Sequence, residues 1–345
     1  MTKLLIITQK VDTEDPILGF FHNWILELSK KFEKISVICL EKGSFDLPIN
    51  VKVFSLGKES DGSKMKYLKN FMNLILGLNR EYDSVFVHMN QEYVLLGGIF
   101  WKIIGKKVFM WRNHSYGNLF TRISVLLSNK VFCTSKFAFI AKYKKTILMP
   151  VGIDIDKFKN SKVHKVKNSI LFLGRMSPIK KPDLLIEALL ILDKKSVSFQ
   201  ADFYGDPLPK DQNYYNSLKA NVKELMLENK INFYNGVPNY ETPKIYNEHS
   251  IFVNLTSSGS FDKTILEAAA CGCLLVITNK SLSGEIDERM IIKNDTPDNV
   301  AESINFWINI NDEERKETLD KLQKYVLENH SLNALIEKLY KEIIQ

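Results

Sequence analysis

The sequence predicts an α/β protein with two similar lobes, each a doubly wound parallel sheet covered by helices. The chain has 345 residues and 45% hydrophobic content. This length exceeds the size at which a single hydrophobic core usually stops growing. Short β-rich runs alternate with helical stretches, and the runs are apolar on both faces, as the strands of a buried parallel sheet are. The alternation pauses once, after Met149, so we expect two domains joined by a linker.

The first lobe begins with a buried strand. Leu4 to Ile7 follow a single lysine, and this apolar run is too short for the hydrophobic region of a signal peptide. We therefore expect the chain to stay in the cytosol. The alternation predicts strands at Lys3–Thr8, Ile35–Leu40, Val51–Ser55, Ser84–His88, Lys107–Trp111 and Lys130–Thr134, with helices at Phe20–Phe32, Met65–Leu78 and Tyr93–Ile104.

A second series of the same kind follows a polar linker that runs to Asn168. The tail from Glu313 to Ile344 is helical in pattern, with a break near Asn329 to Ser331. Predicted strands are Ser169–Leu173, Gln200–Tyr204, Ile231–Tyr234, Ile251–Leu255, Leu274–Thr278 and Met290–Ile292, and predicted helices are Pro182–Leu192, Asn213–Glu228, Lys263–Ala270 and Pro297–Ile308.

The four cysteines predict no disulfide and no zinc site. None of them forms a Cys-x-x-Cys pair and each lies in an apolar run, which favours free buried thiols; they are Cys39, Cys133, Cys271 and Cys273. The longest nearly uncharged apolar stretch, Tyr93 to Trp101, is shorter than the roughly 20 residues that cross a bilayer. We expect a cytoplasmic protein, at most peripheral on the inner face of a membrane.

Charge is distributed unevenly along the chain. Residues 1 to 150 contain 22 Lys and Arg against 12 Asp and Glu, whereas the remainder contains 25 against 28. The basic half is therefore expected to meet an anionic partner, either a phosphorylated acceptor or an acidic membrane surface. Nucleic acid is not expected, because no RNA-recognition motif, zinc finger or continuous basic helix is present.

One strand-to-helix loop in the second half carries two spaced cations. Ser169 to Gly174 read as a strand and a glycine turn, and Arg175 and Lys180 follow before a helix that Pro182 opens. Ligands of open α/β sheets bind beyond the carboxyl ends of the strands. A guanidinium and an ammonium there would neutralise a diphosphate leaving group. Two solvated loop cations are the alternative.

A second loop runs from the strand end at Asn254 through small polar residues to a helix that ends at Gly272. The amides of Thr264, Ile265 and Leu266 would lie at the helix N-terminus, which suits phosphate oxygens. Glu267, one turn into the helix, would accept hydrogen bonds from a ribose diol. An exposed helix glutamate is the alternative interpretation, and Gly272 is interpreted as a helix terminator.

Three segments together resemble the family 4 retaining glycosyltransferases (glycosyl transferases group 1). They are Gly-Arg-x-x-x-x-Lys from Gly174, Glu-Ala-x-Ala-Cys-Gly from Glu267 and Pro-x-Gly-x-Asp-x-x-x-Phe from Pro150. The resemblance implies a GT-B fold, with two Rossmann-like lobes facing a central cleft. Residues 1–158 would form the acceptor-side domain and residues 159–330 the donor domain, with a helix at about 331–345 packing back on the first.

By the same resemblance, Arg175 and Lys180 hold the diphosphate of a UDP or GDP sugar and Glu267 binds its ribose. The sugar would pass to a glycan or lipid-linked acceptor, as in the synthesis of surface polysaccharides or glycolipids. Retention is usually described as a front-face displacement that needs no enzyme nucleophile. No cofactor and no metal are expected, because the two cations can carry the charge of the leaving group.

One departure from the family pattern concerns the donor. The family usually carries a pair of glutamates with seven residues between them, and counting back from Glu267 puts the first of the pair at Gly259. Phe261 keeps the expected aromatic residue. Asp262 and Lys263 replace residues that are usually small or apolar, so Asp262 would contact donor-sugar hydroxyls and Lys263 a phosphate. Both are alternatively helix-end residues.

In the first lobe, the resemblance places Gly19 near the donor phosphates, where a glycine allows close backbone approach. Asp15 would contact the acceptor, although a turn-forming Asp-Pro is the alternative. His114 occupies the place of the family's active-site histidine, and Arg112 lies beside it on the acceptor side. His88 also ends a strand, but a lone histidine is more often structural.

Several other interpretations remain to be compared. Asp154-Ile-Asp156 matches a metal-binding pattern of another fold, but it lies in the linker and is interpreted as coincidence. No Gly-x-Gly-x-x-Gly follows a strand, which argues against a dehydrogenase. A sugar-nucleotide epimerase or phosphorylase of the same fold, and an inactive nucleotide-sugar binding protein, remain open.

The predicted helix at Met65–Leu78 offers a candidate contact with a membrane. Three lysines flank its apolar residues, as they would in an interfacial helix. The alternative is a helix that packs its apolar stripe inward and leaves the lysines in solvent.

Overall fold

The computed structural model describes residues 2–15, 17–161, 165–259 and 261–345. The chain divides into two compact units, residues 1–152 with 332–345, and residues 153–331. Residues 153–158, assigned from the sequence to the first domain, therefore lie in the second unit.

Unit 1 contains a seven-stranded parallel sheet in the order β3-β2-β1-β4-β5-β6-β7. Its strands are β1 (Lys3–Val11), β2 (Lys34–Lys42), β3 (Val51–Ser55), β4 (Ser84–His88), β5 (Lys107–Trp111), β6 (Lys130–Cys133) and β7 (Thr146–Leu148). The first four helices of the unit are α1 (Phe20–Ser29), α2 (Lys64–Gly77), α3 (Gln91–Ile103) and α4 (Leu119–Leu127). The six predicted strands are confirmed; β7 and α4 were not predicted.

Alternate side chains of β1 enter two different hydrophobic cores. Leu4 and Ile6 pack with α1, whereas Leu5 and Ile7 pack with α2, α3 and α4. Because successive side chains of a strand point to opposite faces, a continuously apolar strand requires cover on both sides of its sheet. The sheet of unit 1 is therefore doubly wound, as predicted.

Helix α2 packs its apolar stripe against the core. Phe71 and Ile75 are buried, and Tyr67 and Met72 pack against the same cluster. Only Met65 among the apolar residues near its lysines is exposed. The structure therefore favours the inward-packing interpretation of α2, and contact of this helix with a membrane stays a prediction.

Unit 2 contains a five-stranded parallel sheet in the order β10-β9-β8-β11-β12. The strands are β8 (Ser169–Leu173), β9 (Gln200–Tyr204), β10 (Ile231–Tyr234), β11 (Ile251–Asn254) and β12 (Leu274–Ile277). The helices are α5 (Pro182–Lys194), α6 (Gln212–Asn221), α7 (Lys223–Leu227), α8 (Thr242–Glu248), α9 (Thr264–Ala270), α10 (Pro297–Asn309) and α11 (Asp312–His330).

Two predictions for unit 2 need correction. Met290–Ile292 is not a strand: Glu288–Met290 form a 3-10 turn, and Ile291 makes one isolated bridge to Ile277. The helix predicted at Asn213–Glu228 is two helices, α6 and α7, which meet at Val222. A buried apolar triplet that lacks a continuous partner strand has the same local sequence pattern as a true strand.

The tail ends in helix α12 (Leu332–Ile344), which follows α11 after a break at Ser331, as predicted. Leu335, Ile336 and Leu339 are buried and join the same core as α1. The carboxyl-terminal helix thus completes one face of the sheet of unit 1. No helix among the described residues combines the length and hydropathy needed to cross a bilayer.

Candidate functional site

Both sheets reverse their strand order beside their first strand. In unit 2, β8 lies between β9 and β11, so the loops after β8 and β11 leave the sheet side by side. Such a reversal opens a crevice at the carboxyl ends of the strands, where ligands of this sheet type bind. The two loops singled out from the sequence are therefore neighbours in space.

The two loops are joined by an ion pair. Lys180 Nζ lies 2.5 Å from Asp262 Oδ2, and both side chains are largely buried. The same carboxylate accepts hydrogen bonds from Asn254 Nδ2 at 3.0 Å and from the Thr264 hydroxyl at 2.8 Å. Asp262 is thus held by the end of β11, by the start of α9 and by the loop after β8.

The charge of Asp262 is stabilised by these partners. Burial alone would raise the pKa of this carboxyl, but the Lys180 ammonium and the hydrogen bonds from Asn254 and Thr264 lower it to about 2. The carboxylate therefore stays ionised at neutral pH. The sequence suggested a sugar contact for Asp262, and the structure gives it a defined local partner, Lys180.

Arg175 follows β8 directly and is exposed. No ion pair joins its guanidinium to a carboxylate within the ranges that the structure describes. The loops after β8 and β9 approach each other closely before Arg175. A Cβ at Gly205 would lie 1.9 Å from the carbonyl oxygen of Gly174, so only glycine fits at position 205. Arg175 and Lys180 provide two cations against the single carboxylate of Asp262, which favours an anionic ligand.

Gly259 has a backbone conformation that disfavours other residues. Its φ is +110°, a region that side chains with a Cβ rarely adopt. A glutamate at this position would be strained in this loop. The glycine that replaces the family's glutamate is therefore the residue that this loop conformation favours.

Glu267 is 1% exposed and has partners inside unit 2. Asn239 Nδ2 and the Tyr246 hydroxyl each donate to its carboxylate at 3.4 Å, and Lys263 Nζ lies 3.7 Å away. Burial raises the pKa of Glu267, although the Lys263 charge opposes this shift. Burial also lowers the pKa of Lys263. The ribose role of Glu267 and the phosphate role of Lys263 remain predictions, and both groups here contact each other.

The amides expected at the start of α9 have acceptors within the chain. The Thr264 amide donates to Asp262 Oδ1 at 3.3 Å, and the amides of Ile265 and Leu266 donate to the carbonyl oxygens of Asp262 and Lys263. A phosphate would have to replace these bonds to use the same donors. The Asp262 carboxylate and two backbone carbonyl oxygens thus accept the first amides of this helix.

In unit 1, Asp15 organises the loop between β1 and α1. Its Oδ1 accepts the amides of Ile17 at 2.9 Å and Leu18 at 2.7 Å, which is the turn-forming role named as its alternative. Gly19 is required by the same turn, since a Cβ there would lie 2.6 Å from the Asp15 carbonyl oxygen. The close approach that Gly19 permits is to its own loop.

Arg112 and His114 lie in the loop between β5 and α4. Arg112 donates to the Tyr116 carbonyl oxygen at 2.8 Å, and burial lowers the pKa of its guanidinium. His114 Nδ1 accepts the Tyr116 amide at 3.0 Å, so a neutral ring carries its proton on Nε2. The His114 carbonyl accepts the Phe139 amide, which leaves the exposed ring as the group that a ligand can reach.

His88 is buried at the end of β4. Its ring stacks on Phe21 with a centroid distance of 3.8 Å, and Nδ1 lies 3.4 Å from the Thr8 hydroxyl. Burial lowers the pKa of His88 to about 3, so the ring is neutral and forms part of an aromatic cluster. The structure supports the structural interpretation of this residue.

The linker aspartate Asp154 forms a local turn. Its Oδ1 accepts the amide of Lys157 at 3.3 Å, and its carbonyl oxygen accepts that of Phe158. This turn gives the Asp-x-Asp pattern a local structural role.

Three further residues of this region, Asn254, Asn239 and Tyr246, were not predicted from the sequence as parts of the site. Asn254 ends β11, and a polar residue at the carboxyl end of a buried strand is a usable signal. Asn239 and Tyr246 come from the segment after β10, where no motif marks them. All four cysteines are buried and free, as predicted.

A family model described as glycosyl transferases group 1 matches residues 154–326, which is half of the chain. The chain belongs to this family. This group 1 glycosyltransferase is 31% identical over 112 residues to mannosylfructose-phosphate synthase of Agrobacterium fabrum, which covers 32% of this chain and 25% of that protein. It is 25% identical over 189 residues to a phosphatidylinositol N-acetylglucosaminyltransferase chain of Arabidopsis thaliana, 52% of this chain and 41% of the relative. The chain thus spans less than half the length of these curated relatives.

Solved structures resemble this group 1 glycosyltransferase over its whole length. HepE of Anabaena in complex with UDP and glucose has a TM-score of 0.78 at 18% identity, with 100% of both chains covered. Sucrose-phosphate synthase of Thermosynechococcus elongatus has a TM-score of 0.76 at 12% identity, with 100% and 99% covered. At these identities the likeness shows the fold alone, which is the GT-B fold predicted from the motifs.

Proposed function

We propose that this group 1 glycosyltransferase transfers a sugar, with retention and without a metal ion, from a UDP or GDP sugar to a glycan or lipid-linked acceptor. The observation that carries the proposal is the ion pair of Lys180 with Asp262, which joins the loop that also carries Arg175 to the loop after β11 at the strand-order reversal of unit 2. The complexes of HepE with UDP and with UDP-glucose support a nucleotide-sugar donor.

The two cations suit the charge that develops on the leaving group. As the bond between the anomeric carbon and the phosphate oxygen breaks, negative charge grows on the diphosphate, and Arg175 and Lys180 would stabilise it. The acceptor oxygen forms the new bond to the same carbon. The departing phosphate takes the acceptor proton, so no enzyme nucleophile is needed.

Asp262 is suited to position Lys180 before the donor arrives. A salt bridge between largely buried groups keeps the ammonium in one place, which lowers the cost of ordering it on binding. The diphosphate would then share the ammonium with the carboxylate. The free guanidinium of Arg175 supplies the second contact.

The first test is a thermal-shift screen of UDP, GDP, ADP and their sugar conjugates, with and without EDTA. A ligand that binds only the folded state raises its apparent stability. We expect one nucleotide family to stabilise the protein, EDTA to have no effect, and Arg175→Ala to abolish the shift while Lys181→Ala keeps it. Lys181 is a matched control because it is a cation of the same loop, next to Lys180, but its ammonium is paired with Asp295.

Turnover assays then distinguish the remaining interpretations. Transfer to an acceptor with the anomeric configuration kept, followed by NMR, supports the proposal. Epimerised nucleotide sugar without acceptor would indicate an epimerase, and binding without turnover would indicate an inactive binding protein. Absence of a shift with every nucleotide at about millimolar concentration would contradict the donor site itself.

A further inference from the structure

The helices α3 and α4 of unit 1 both expose apolar residues on their outward faces. The inward face of α3 is apolar as well, whereas α4 buries Thr121 and Ser124 beside Val125. Their inward residues, such as Trp101 and Val125, are buried against the sheet. Ile103 is 79% exposed, Leu119 67% and Leu126 68%. Six exposed apolar residues form what we call the α3–α4 face: Ile99, Ile103, Leu119, Phe120, Ile123 and Leu126.

The spacing of these residues gives each helix one continuous outward stripe. Ile99 and Ile103 are four residues apart, and Leu119, Ile123 and Leu126 follow the same helical period. A surface helix normally has one apolar face, which it turns to the core. Helix α3 has an outward apolar stripe in addition to its buried one, and most of the apolar residues of α4 face outward. Two neighbouring outward stripes therefore indicate a surface that contacts an apolar partner.

The two stripes belong to one surface because α3 and α4 pack directly on each other. Lys102 Nζ donates to the Leu126 carbonyl oxygen at 3.2 Å, and the Ser124 hydroxyl donates to that of Gln91 at 3.2 Å. A Cβ on Gly98 would lie 3.1 Å from the Leu127 side chain. The outward residues on either side of this crossing are thus neighbours.

The charge around the α3–α4 face is mainly positive, and Glu92, in the first turn of α3, is the one acid on these two helices. Residues 101–150 contain ten Lys and Arg and no Asp or Glu. Arg122 is exposed on α4 between the apolar residues, Lys102 is exposed on α3, and Lys142 and Lys144 are exposed further along the chain. Exposed apolar side chains surrounded by cations match the chemistry of an anionic lipid surface.

We propose that the α3–α4 face docks this protein onto an anionic phospholipid bilayer. Ile103, Phe120 and Leu126 enter the boundary between headgroups and acyl chains, and Arg122 contacts headgroup phosphates. A second copy of the chain fits less well, because a two-fold contact would bring like charges together. Nucleic acid would satisfy the charge but would leave the apolar side chains uncovered.

Vesicle flotation tests the proposal independently of the donor site. The full chain is mixed with vesicles of phosphatidylcholine alone or with about 30% phosphatidylglycerol. The variants are Ile103→Asn/Leu126→Asn for the apolar stripe and Arg122→Gln for the charge. Matched controls on α11 of unit 2 are Leu327→Asn, at a residue 51% exposed, and Lys324→Gln, whose side chain is 72% exposed.

We expect binding to the anionic vesicles, weakened by raising the salt from about 0.1 M to about 0.5 M. The partition coefficient should fall at least about tenfold in the apolar double variant. It should fall about fivefold in Arg122→Gln, while both controls bind as the wild type does. Equal unfolding temperatures of all variants would show that these exposed substitutions leave the fold intact.

Three results would overturn the proposal. One is absence of wild-type binding to anionic vesicles, and another is equal loss in the α11 controls. The third is a concentration-dependent dimer, or binding to a DNA duplex, that the same variants abolish while vesicle binding persists unchanged. Nucleotide thermal shifts measured on the same variants keep a failure here distinct from a failure of the proposed transferase.

Discussion

The loops at the carboxyl edges of the two sheets differ in their charge balance. In unit 1, Lys10 Nζ lies 2.9 Å from Glu41, 3.1 Å from Asp15 and 3.3 Å from Asp12, and the contact with Glu41 raises the pKa of this lysine. In unit 2, Lys180 is paired with Asp262, whereas no ion pair among the described residues joins Arg175 to a carboxylate. This charge balance favours an anion at the strand edge of unit 2, although the excess positive charge of the sequence lies in residues 1–150.

This difference corrects a simple interpretation of net charge. The basic half was expected to meet the anionic partner, and part of its charge is neutralised at the loops where a small ligand would bind. Exposed cations of unit 1 instead surround the α3–α4 face. Net charge thus indicates the sign of a partner, but the position of each charge decides which surface meets it.

The largest effect should come from removing both cations of unit 2. We expect Arg175→Ala/Lys180→Ala to lower the affinity for the nucleoside diphosphate at least about 100-fold, since hydrogen bonds to charged groups contribute about 1.5–3 kcal/mol each. Isothermal titration calorimetry at neutral pH measures this loss. Lys181→Ala should stay within about twofold of the wild type. Wild-type affinity in the double variant would show that these two cations of unit 2 do not bind the diphosphate.

A sharper comparison sets Asp262 against Glu267, two acids of the same loop and helix with opposite pKa shifts. The pKa of Asp262 is lowered to about 2, so its charge stabilises the folded state above its unfolded pKa, and this stability is lost as the pH falls from about 5 to about 2. Asp262→Asn should therefore cost about 2 kcal/mol at neutral pH, measured by urea unfolding.

Glu267 should behave in the opposite way. Its pKa is raised, so the folded state binds the proton more tightly than the unfolded chain does, and stability from this group is lost as the pH rises through its folded pKa. Glu267→Gln should leave the free energy of unfolding at neutral pH unchanged or slightly higher. If Glu267 also binds ribose, the same variant loses nucleotide affinity without losing stability. A large destabilisation by Glu267→Gln would show that its charge is needed for folding.

A smaller loss of stability than that of Asp262→Asn should come from Asp15 in unit 1. Asp15→Ala removes the acceptor for two backbone amides and should cost about 1 kcal/mol. Asp15→Asn keeps an acceptor oxygen and should cost less than about half of that. Thermal unfolding of both variants, with the acceptor assay in parallel, separates a turn role from an acceptor contact. Reduced turnover in a fully stable Asp15→Asn would favour the acceptor contact.

Much of the fold could be predicted from short-range pattern. The strand Ser84–His88 is bounded as predicted, because a fully buried strand needs a short apolar run between polar turns. Val51–Ser55 is also bounded as predicted, although it lies at the edge of the sheet and is only partly buried. Helix α4 was not predicted, because it is only nine residues long and its buried face carries Thr121 and Ser124 beside Val125. Met290–Ile292 resembled a strand because burial alone selects apolar residues.

The candidate site was predicted as residue types in two loops, not as an arrangement. The loop motifs identified Arg175, Lys180 and Asp262, but nothing in the sequence indicated that Lys180 and Asp262, 82 residues apart, form an ion pair. Glu267 was expected to face a ligand, and in the structure it is buried among Asn239, Tyr246 and Lys263. Burial depends on neighbours that are distant in the chain.

The sequence by itself determined the two parallel-sheet lobes, the family and the residues of the donor loops, because these follow from hydrophobic period and from motifs of contiguous residues. Only the tertiary structure decided which of those residues meet. The pairing of β8 with β11 brings their loops together, and the pKa values of Asp262 and Glu267 then follow from neighbours that the pairing supplies. Exposure of the α3–α4 face was likewise decided by packing, since an apolar residue in a sequence does not show which side of its helix the core will cover.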